Sequence, residues 1–292
     1  MPRRTTMLLG IALATAACGA GDDGGDESVR VVAGFYPVAW AAERVGGDRV
    51  SVADLTPSGA EPHDLELTPD QADELLDADV VLLMGEGFQP AVEDAAEQRD
   101  GPTITLLDTL PVSELEDGDP HVWLDPVLME AVVGEIEAAL VEADPEGKTA
   151  YRRNADGLRG ELERLDSAYR AGLAGCERDL VVTAHDAFGY LTDRYGLRDE
   201  GVAGLSPDAE PDARRLAELA DLARRERVTT VFTEELLSPE IAETLAREAG
   251  GLRTEVLSTL ESLGEKERDA GGDYVTVMED NLARLRTALG CQ

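Results

Sequence analysis

The sequence predicts an α/β protein of two lobes, each with a parallel sheet flanked by helices, joined by one long helix. Three observations indicate this fold. Short runs of β-branched and apolar residues alternate with amphipathic segments in each half of the chain, at a spacing that requires helical crossovers between parallel strands. One helical pattern of about 28 residues separates the two halves. The chain has 292 residues, which is long enough for two sizeable cores.

The first lobe is expected to cover residues 29–144. Strands are predicted at 29–33, 50–55, 80–84 and 103–107, with helices at 37–45, from 68, at 90–98 and at 125–142. The helix that starts at Thr68 has the clearest signal, because Pro69 suits the first helical position and Gln71 completes a capping box.

The linking segment, residues 145–175, is expected to be helical to about residue 173. Its apolar residues recur at alternating steps of four and three: Tyr151, Ala155, Leu158, Leu162, Leu165 and Tyr169. A helix of this length spans about 42 Å, enough to run along both halves of the protein. The second lobe, residues 176–292, repeats the first pattern. Its strands are predicted at 180–184, 201–204, 229–233 and 254–257, its helices at 188–195, 212–226, 239–249 and 273–288, and a polar loop at 264–272.

The composition excludes several classes of partner. With 26 basic and 61 acidic residues, the chain carries a formal net charge of −35. Nucleic acids and anionic lipid surfaces both need basic patches, so neither is expected to bind. The acidity is typical of a solvated surface, although such a surface also raises the local concentration of cations.

The N-terminus is typical of an exported lipoprotein. Residues 1–17, with two arginines before a short apolar run, are expected to be a signal peptide. The small residues before Cys18 resemble a bacterial lipobox, in which that cysteine is lipidated. Thr15 stands where such sites usually carry Leu, and an ordinary signal peptide cleaved elsewhere is the alternative. Residues 18–28 would form a flexible tether, so the protein is expected to be extracytoplasmic, lipid-anchored to the outer face of the membrane, or periplasmic.

Two further cysteines, Cys176 and Cys291, remain after Cys18. In an exported chain two cysteines predict one disulfide, which would tie the C-terminal tail to the start of the second lobe. Two buried free thiols are the alternative.

The chain has three histidines, and each lies in a short segment at the end of a predicted element. His63 and His121 lie in loops stiffened by proline shortly before a helix, and two Asp-Pro steps bracket His121. His185 follows a buried strand, where open parallel sheets bind ligands. A lone histidine is more often structural than a ligand. Here the first two fall in the first lobe and the third in the second, which predicts one metal site in the interlobe cleft.

Five separated stretches resemble the zinc/manganese-type (TroA-like) solute-binding proteins of ABC transporters, most of all the high-affinity zinc-binding lipoproteins. These stretches are residues 59–67, 119–126, 183–190, 206–211 and 232–234. They occur in the family's order, and the resemblance extends from about residue 29 to the end. It implies two α/β lobes joined by a long rigid helix, with the metal bound between them.

The resemblance also implies a ligand set. Its three histidine ligands would be His63, His121 and His185. For the fourth ligand, family members use either an Asp after the last strand or a Glu three residues further on. This chain has Ser258 at the first position and Glu261 at the second, so Glu261 is the expected fourth ligand, with water or Glu61 as competitors. Three imidazoles and a carboxylate suit Zn²⁺, whereas manganese-binding relatives often replace the third histidine by an acid.

Other residues are expected to support the site. Glu61, Glu210 and Glu234 are candidates for positions around the ligands. Glu210 or Glu234 could orient a ligand histidine through its second ring nitrogen, and a helix-end or surface carboxylate is the alternative. Three aromatic residues are expected to pack the cleft wall: Trp123, Phe188 and Tyr190. Residues 108–119 hold no histidine, so the metal-harvesting loop of many zinc-uptake relatives is absent.

Together these features predict a solute-binding lipoprotein that captures Zn²⁺ and delivers it to an ABC permease for high-affinity uptake. Zinc would be cargo, the protein would not be an enzyme, and we expect a monomer. Three rivals stay open. They are a manganese-binding member of the same family, a His₃ zinc hydrolase or hydratase with water in the fourth position, and a surface adhesin in which metal only stabilises the fold.

Overall fold

The computed structural model of the chain describes residues 28–110, 118–207 and 213–292. The N-terminal lobe has four parallel strands in the order β2-β1-β3-β4, namely β1 (Val29–Ala33), β2 (Val50–Asp54), β3 (Val80–Leu83) and β4 (Thr103–Thr105). A helix follows each strand: α1 (Tyr36–Gly46), α2 (Pro69–Asp77), α3 (Pro90–Ala96) and α4 (Leu106–Thr109). The strand β3 is buried along its whole length, as expected where helices cover both faces of a parallel sheet.

The strand order creates a crevice at the carboxyl ends of β1 and β3. The chain passes from β1 to β2 on one side and continues with β3 on the other, the arrangement in which open parallel sheets bind ligands. Gln89 joins the end of β1 to the loop after β2, because its side-chain amide donates to Gly34 O at 3.0 Å and to Thr56 Oγ1 at 3.1 Å. A side chain at position 34 would meet the amide oxygen of Gln89, so a residue larger than glycine would push Gln89 away from these two hydrogen bonds.

Two antiparallel helices connect the lobes. The helix α5 (Pro126–Ala143) begins at an N-cap in which the carboxylate of Asp125 accepts from Val127 N–H. A 3-10 turn (Pro145–Gly147) leads into α6 (Lys148–Gly172). All six residues of the predicted apolar stripe on α6 are buried. The helix packs against α1 and α5 and, near its C-terminal end, against the last helix of the chain, so it extends along both lobes.

The C-terminal lobe has four short strands, β5 (Leu180–Thr183), β6 (Arg198–Gly201), β7 (Thr230–Thr233) and β8 (Arg253–Val256). They form two parallel pairs, β5-β6 and β7-β8, and β5 lies next to β7. The helices of this lobe are α7 (Gly189–Tyr195), α8 (Ala213–Arg225), α9 (Glu240–Glu248), α10 (Glu265–Asp269) and α11 (Tyr274–Leu289). The predicted α/β fold with parallel sheets, flanking helices and one long helix is confirmed.

Three sequence predictions about elements are wrong in detail. The strand expected at 201–204 is β6, three residues earlier, where the charged sequence RDEG pairs with β5 at the edge of the sheet. The strand expected at 103–107 ends at Thr105, because Leu106 begins a short helix. The polar loop expected at 264–272 contains α10. In each case backbone pairing or a short helical turn overrides a local apolar or polar pattern.

The lobes share one hydrophobic cluster. It runs from β1 and β3 through α5 and α6 to α11. Cys176 and Cys291 form the predicted disulfide, which joins the segment after α6 to the end of α11. Within the described ranges, no helix is both long enough and apolar enough to span a bilayer.

Candidate metal centre

Four side chains from four separate loops meet between the lobes. His63 lies between β2 and α2, His121 lies before the 3-10 turn Val122–Leu124, His185 follows β5, and Glu261 follows β8. One donor atom of each lies within 4.8 Å of the donor atoms of the other three. All four residues are the predicted ligands, and the structure brings them together at the carboxyl ends of parallel strands.

The carboxylate oxygen Oε1 of Glu261 faces all three imidazoles. It lies 3.3 Å from Nε2 of His121 and 3.5 Å from Nε2 of both His63 and His185. The Nε2 atoms of His121 and His185 are 3.4 Å apart. The same ring nitrogen of each histidine therefore points towards one small volume.

The four side chains are removed from water. His121 and His185 are fully buried, Glu261 is 1% exposed, and the side chain of His63 is 10% exposed. Within the described part of the chain, Nε2 of His63 and Oε1 of Glu261 are buried without a hydrogen-bond partner. Leaving a buried polar atom unpaired costs about 1–3 kcal/mol, so these atoms indicate a place for a ligand and not a contact that stabilises the fold.

Two carboxylates fix the orientation of two of the rings. Oδ1 of Asp119 lies 2.6 Å from Nδ1 of His121, and Oε1 of Glu234 lies 2.8 Å from Nδ1 of His185. A carboxylate at Nδ1 favours the tautomer with the proton on that nitrogen, which leaves the lone pair of Nε2 facing the centre. Glu234 was expected near a ligand histidine, whereas sequence reasoning missed Asp119. The sequence pattern that could have identified Asp119 is its position two residues before His121, in Asp119-Pro-His121. The same spacing lets Asp119 accept from the backbone N–H of His121 at 2.9 Å.

Trp123 ties the segment of His121 to the C-terminal lobe. Its indole N–H donates to Thr259 O at 2.7 Å, and the hydroxyl of Tyr274 donates to Trp123 O at 2.5 Å. The Trp123 ring is fully buried and lies 5.1 Å from the ring of His121. Trp123 therefore packs the wall of the site, as predicted for the aromatic residues around it.

Two further contacts hold the same segment to α7. Tyr190 donates its hydroxyl to Asp119 O at 3.1 Å, and Arg194 forms an ion pair with the buried Asp125 at 2.6 Å. The sequence placed His121 with the first lobe. Its hydrogen bonds attach this segment to the C-terminal lobe, because the partners of Asp119, Trp123 and Asp125 lie after α6 in the chain. The Trp123 ring also packs against Phe35 and Phe88 of the N-terminal lobe, so the segment contacts both lobes.

His63 is held differently. Its ring makes an edge contact with Phe88 at 4.6 Å, and its backbone N–H is 3.3 Å from a carboxylate oxygen of Glu61. The loop is joined to the C-terminal lobe by Ser58, which donates to Leu263 O at 2.6 Å. In the described ranges, no carboxylate is paired with Nδ1 of His63 in the way that the other two rings are paired.

The remaining sequence candidates fall into three groups. Glu61 accepts from the backbone N–H of His63 and is not one of the four converging donors. Ser258, at the alternative fourth-ligand position that the resemblance implies, is buried and its backbone N–H is bonded to Asn281. Glu210 and Cys18 lie outside the described residues.

The pKa of each ionisable group in the site depends on burial and on the charges of its neighbours. Burial alone would lower the pKa of His185, but its contacts with Glu234 and Glu261 outweigh burial and raise the pKa to about 10. Burial likewise would lower the pKa of His121, but its contacts with Asp119 and Glu261 outweigh burial and raise it. Burial alone would raise the pKa of Glu261, yet the three imidazoles hold it well below its usual value. Burial and the nearby charge of Glu261 raise the pKa of Glu61 to about 8.

Comparison with known proteins gives consistent matches. Residues 31–288 match the family described as "ZnuA: Zinc-uptake complex component A periplasmic". The high-affinity zinc uptake system protein ZnuA of Bacillus subtilis is 36% identical over 302 residues, covering 95% of this chain and 94% of the relative. The zinc-binding lipoprotein AdcA of Streptococcus pneumoniae is 36% identical over 280 residues, covering 89% of this chain but only 56% of the longer relative.

A solved structure agrees with these matches. The Zn(II)-bound ZnuA-like domain of Streptococcus pneumoniae AdcA superposes with a TM-score of 0.77 at 37% identity, covering 90% of this chain and 99% of that domain. The family consists of extracytoplasmic solute-binding proteins and not of enzymes. With its parallel sheets, its long helix and its buried group of three histidines and a glutamate, this chain belongs to the ZnuA family of zinc-uptake solute-binding proteins.

Proposed function

We propose that this protein captures Zn²⁺ outside the cytoplasm and delivers it to the permease of an ABC transporter. The ligands would be Nε2 of the three histidines, His63, His121 and His185, and a carboxylate oxygen of Glu261. The observation that carries the proposal is the convergence of these four buried donors, two of which have no hydrogen-bond partner among the described residues.

The spacing of the donors supports zinc. A tetrahedral ion with bonds of about 2.0–2.1 Å separates neighbouring ligand atoms by about 3.3–3.4 Å. The three distances from Glu261 and the distance between His121 and His185 are 3.3–3.5 Å. The donor distances from His63 to the other two histidines are at most 4.8 Å, so His63 is the ligand that would have to move inwards. Three nitrogens and one oxygen also suit Zn²⁺ better than Mn²⁺, which prefers more oxygen ligands.

The position of Glu261 argues against a hydrolytic site. A catalytic zinc needs a coordination position for water. Here the fourth position faces a carboxylate that is 1% exposed and lies within 3.5 Å of every histidine. The arrangement supports a closed site that holds the ion as cargo.

The setting of the protein in the cell is part of the proposal. Residues 1–17 would be removed, Cys18 would carry the lipid, and residues 18–28 would tether the protein to the membrane. The lobes would cover 29–144 and 176–292, with 145–175 between them, and the protein would act as a monomer. The name of the lipoprotein AdcA and the lipobox-like residues before Cys18 support the anchor.

Metal analysis and a competition titration test the binding step. Apo-protein titrated with Zn²⁺ against a chelator should bind one ion per chain. His121→Ala should weaken binding by more than the ~10–100-fold that loss of an outer hydrogen-bond partner costs. Unchanged affinity in His121→Ala would overturn the ligand assignment.

Growth under zinc limitation tests delivery. A deletion strain should grow poorly in medium with a zinc chelator, and the parent gene should restore growth. The Cys18→Ala variant separates the anchor from binding, since it should be released from the membrane while the released protein binds zinc with parent affinity. A deletion strain with normal zinc-limited growth would contradict the transport role.

A further inference from the structure

The segment that carries Glu261 has an unusual backbone. Leu260, the residue before it, is in the left-handed region with φ +59° although it is not glycine, and it is buried. Residues with a branched side chain rarely adopt this conformation unless their surroundings impose it. Something outside the segment must therefore hold the turn that directs Glu261 into the site.

Asn281 on α11 fixes that turn through two hydrogen bonds to the backbone of Ser258. Its side-chain oxygen accepts from Ser258 N–H at 3.0 Å, and its side-chain amide donates to Ser258 O at 2.8 Å. Asn281 is fully buried, and both hydrogen bonds lie away from water. The hydroxyl of Ser258 then accepts from Leu260 N–H at 3.3 Å, so the fixed residue is linked directly to the strained one.

The helix that carries Asn281 is itself well anchored. Tyr169 on α6 donates its hydroxyl to Met278 O at 2.7 Å, and Arg284 donates to Val256 O at 3.1 Å. The disulfide joins the end of the helix to the segment after α6. The helix α11 is thus a fixed reference for the loop that follows β8.

The same helix also reaches the segment of His121. Tyr274, seven residues before Asn281, donates to Trp123 O, and the indole of Trp123 donates to Thr259 O. Two turns of one helix therefore hold two of the loops that meet at the metal centre.

We infer that Asn281 is a positioning residue that sets the location of Glu261 relative to the histidines, without touching the metal itself. Ser258 serves as the anchor point for Asn281 and passes the constraint to Leu260. This inference rests on the proposed function, because it takes Glu261 to be a ligand. Breaking the pair of bonds should free Leu260 to leave its left-handed conformation and should move the carboxylate out of the site.

A double-mutant cycle tests this inference. Zinc affinity is measured by competition titration for the parent, Asn281→Ala, Glu261→Ala and the double variant, at a temperature where each is folded. Asn281→Ala should weaken binding about 10–100-fold in the parent and by less than about threefold in the Glu261→Ala background. An equal loss in both backgrounds, or no loss in the parent, would overturn the inference alone. If Glu261→Ala itself binds zinc as tightly as the parent, the ligand assignment fails as well.

A matched control and a second readout separate positioning from general stability. Asn154→Ala removes an asparagine that donates to a backbone carbonyl, Val45 O at 3.0 Å, on α6 away from the site. It should leave zinc affinity unchanged. The visible spectrum of the Co²⁺-loaded protein should change in Asn281→Ala and stay as in the parent in Asn154→Ala. If Asn281→Ala does not fold, Asn281→Asp takes its place, since it removes only the donor to Ser258 O; a parent-like Co²⁺ spectrum in that variant would contradict the inference.

Discussion

The two sides of the metal centre differ in how firmly their ligand side chains are held. On the C-terminal side, His121, His185 and Glu261 are at most 1% exposed, and both rings have a carboxylate at Nδ1. On the N-terminal side, His63 is 10% exposed and is held mainly by ring packing against Phe88. The donors of His121, His185 and Glu261 are therefore positioned before the metal binds. The position of His63 depends on how the loop after β2 lies against the other lobe.

This difference suggests an order for binding and release. A preorganised set of donors binds with little ordering cost, so the three C-terminal donors should supply most of the affinity. His63 should close the site last and leave first, because surface hydrogen bonds, such as Ser58 to Leu263 O and Gly59 N–H to Ser262, tie its loop to the other lobe. The following predictions compare the two sides, from the largest expected effect to the smallest.

Removal of a ligand should have unequal effects on the two sides. His121→Ala should weaken zinc binding more than His63→Ala, because it leaves Asp119 and Glu261 without the imidazole between them, whereas His63→Ala leaves three prearranged donors. Competition titrations on both variants measure the difference. Equal losses, or a larger loss in His63→Ala, would show that the comparison is wrong.

Loss of a carboxylate that orients a ligand ring should have the next largest effect on zinc affinity. Asp119→Asn and Glu234→Gln should each weaken zinc binding about 10–100-fold, because the ring keeps its place but loses the partner that fixes its tautomer and raises its basicity. Glu137→Gln, which changes a carboxylate on α5 that pairs with Arg159 away from the cluster, is the control and should bind like the parent. Parent-like affinity in Asp119→Asn would contradict the role given to that carboxylate.

The affinity should fall as the pH falls. The raised pKa of His185, about 10, means that the metal-free site holds a proton there at neutral pH, and zinc must displace it. Below that pKa each displaced proton makes the affinity about tenfold weaker per unit decrease in pH. Calorimetry in buffers of different ionisation enthalpy should therefore detect at least one released proton at pH 7. An affinity that is constant between about pH 6 and pH 9 would contradict this account.

The smallest effect on zinc binding should come from loss of the hydrogen bond between the loop of His63 and Ser262. Ser262 accepts from Gly59 N–H at 2.7 Å, which ties the loop of His63 to the segment of Glu261. Ser262→Ala removes this bond and a longer one that the same hydroxyl donates to Pro57 O at 3.5 Å. The loss of a net surface hydrogen bond costs about 0.5–1.5 kcal/mol and should speed zinc dissociation about two- to tenfold. Ser238→Ala removes a similar exposed contact at the start of α9 and should not change the rate. Stopped-flow transfer of zinc to a chelator measures both variants, and identical rates would weaken the distinction between the two sides.

Much of the fold is predictable because hydrophobic periodicity is a local property. The stripe on α6, the capping box at Thr68 and the apolar strand β3 are all visible within a few residues of sequence. The strand β6 is not, because its charged residues form a strand only through pairing with β5 at a sheet edge.

In the candidate site too, some features are predictable from the sequence and others depend on contacts between distant residues. The three histidines stand out from composition and local pattern, and Glu261 emerged from a resemblance between sequences. The attachment of His121 to the C-terminal lobe depends on contacts that span 136 and 151 residues, from Trp123 to Thr259 and from Tyr274 to Trp123. No local pattern encodes such contacts, so only the folded structure reveals which side of the site is rigid.

X-ray absorption at the zinc edge of the zinc-loaded protein tests the central claim most directly. The account predicts a four-coordinate ion with light ligands at about 2.0–2.1 Å and the outer-shell scattering of three imidazoles. The fourth ligand should be an oxygen. A six-coordinate oxygen shell, or scattering from fewer than three imidazoles, would contradict the claim that these three histidines and Glu261 bind one zinc ion.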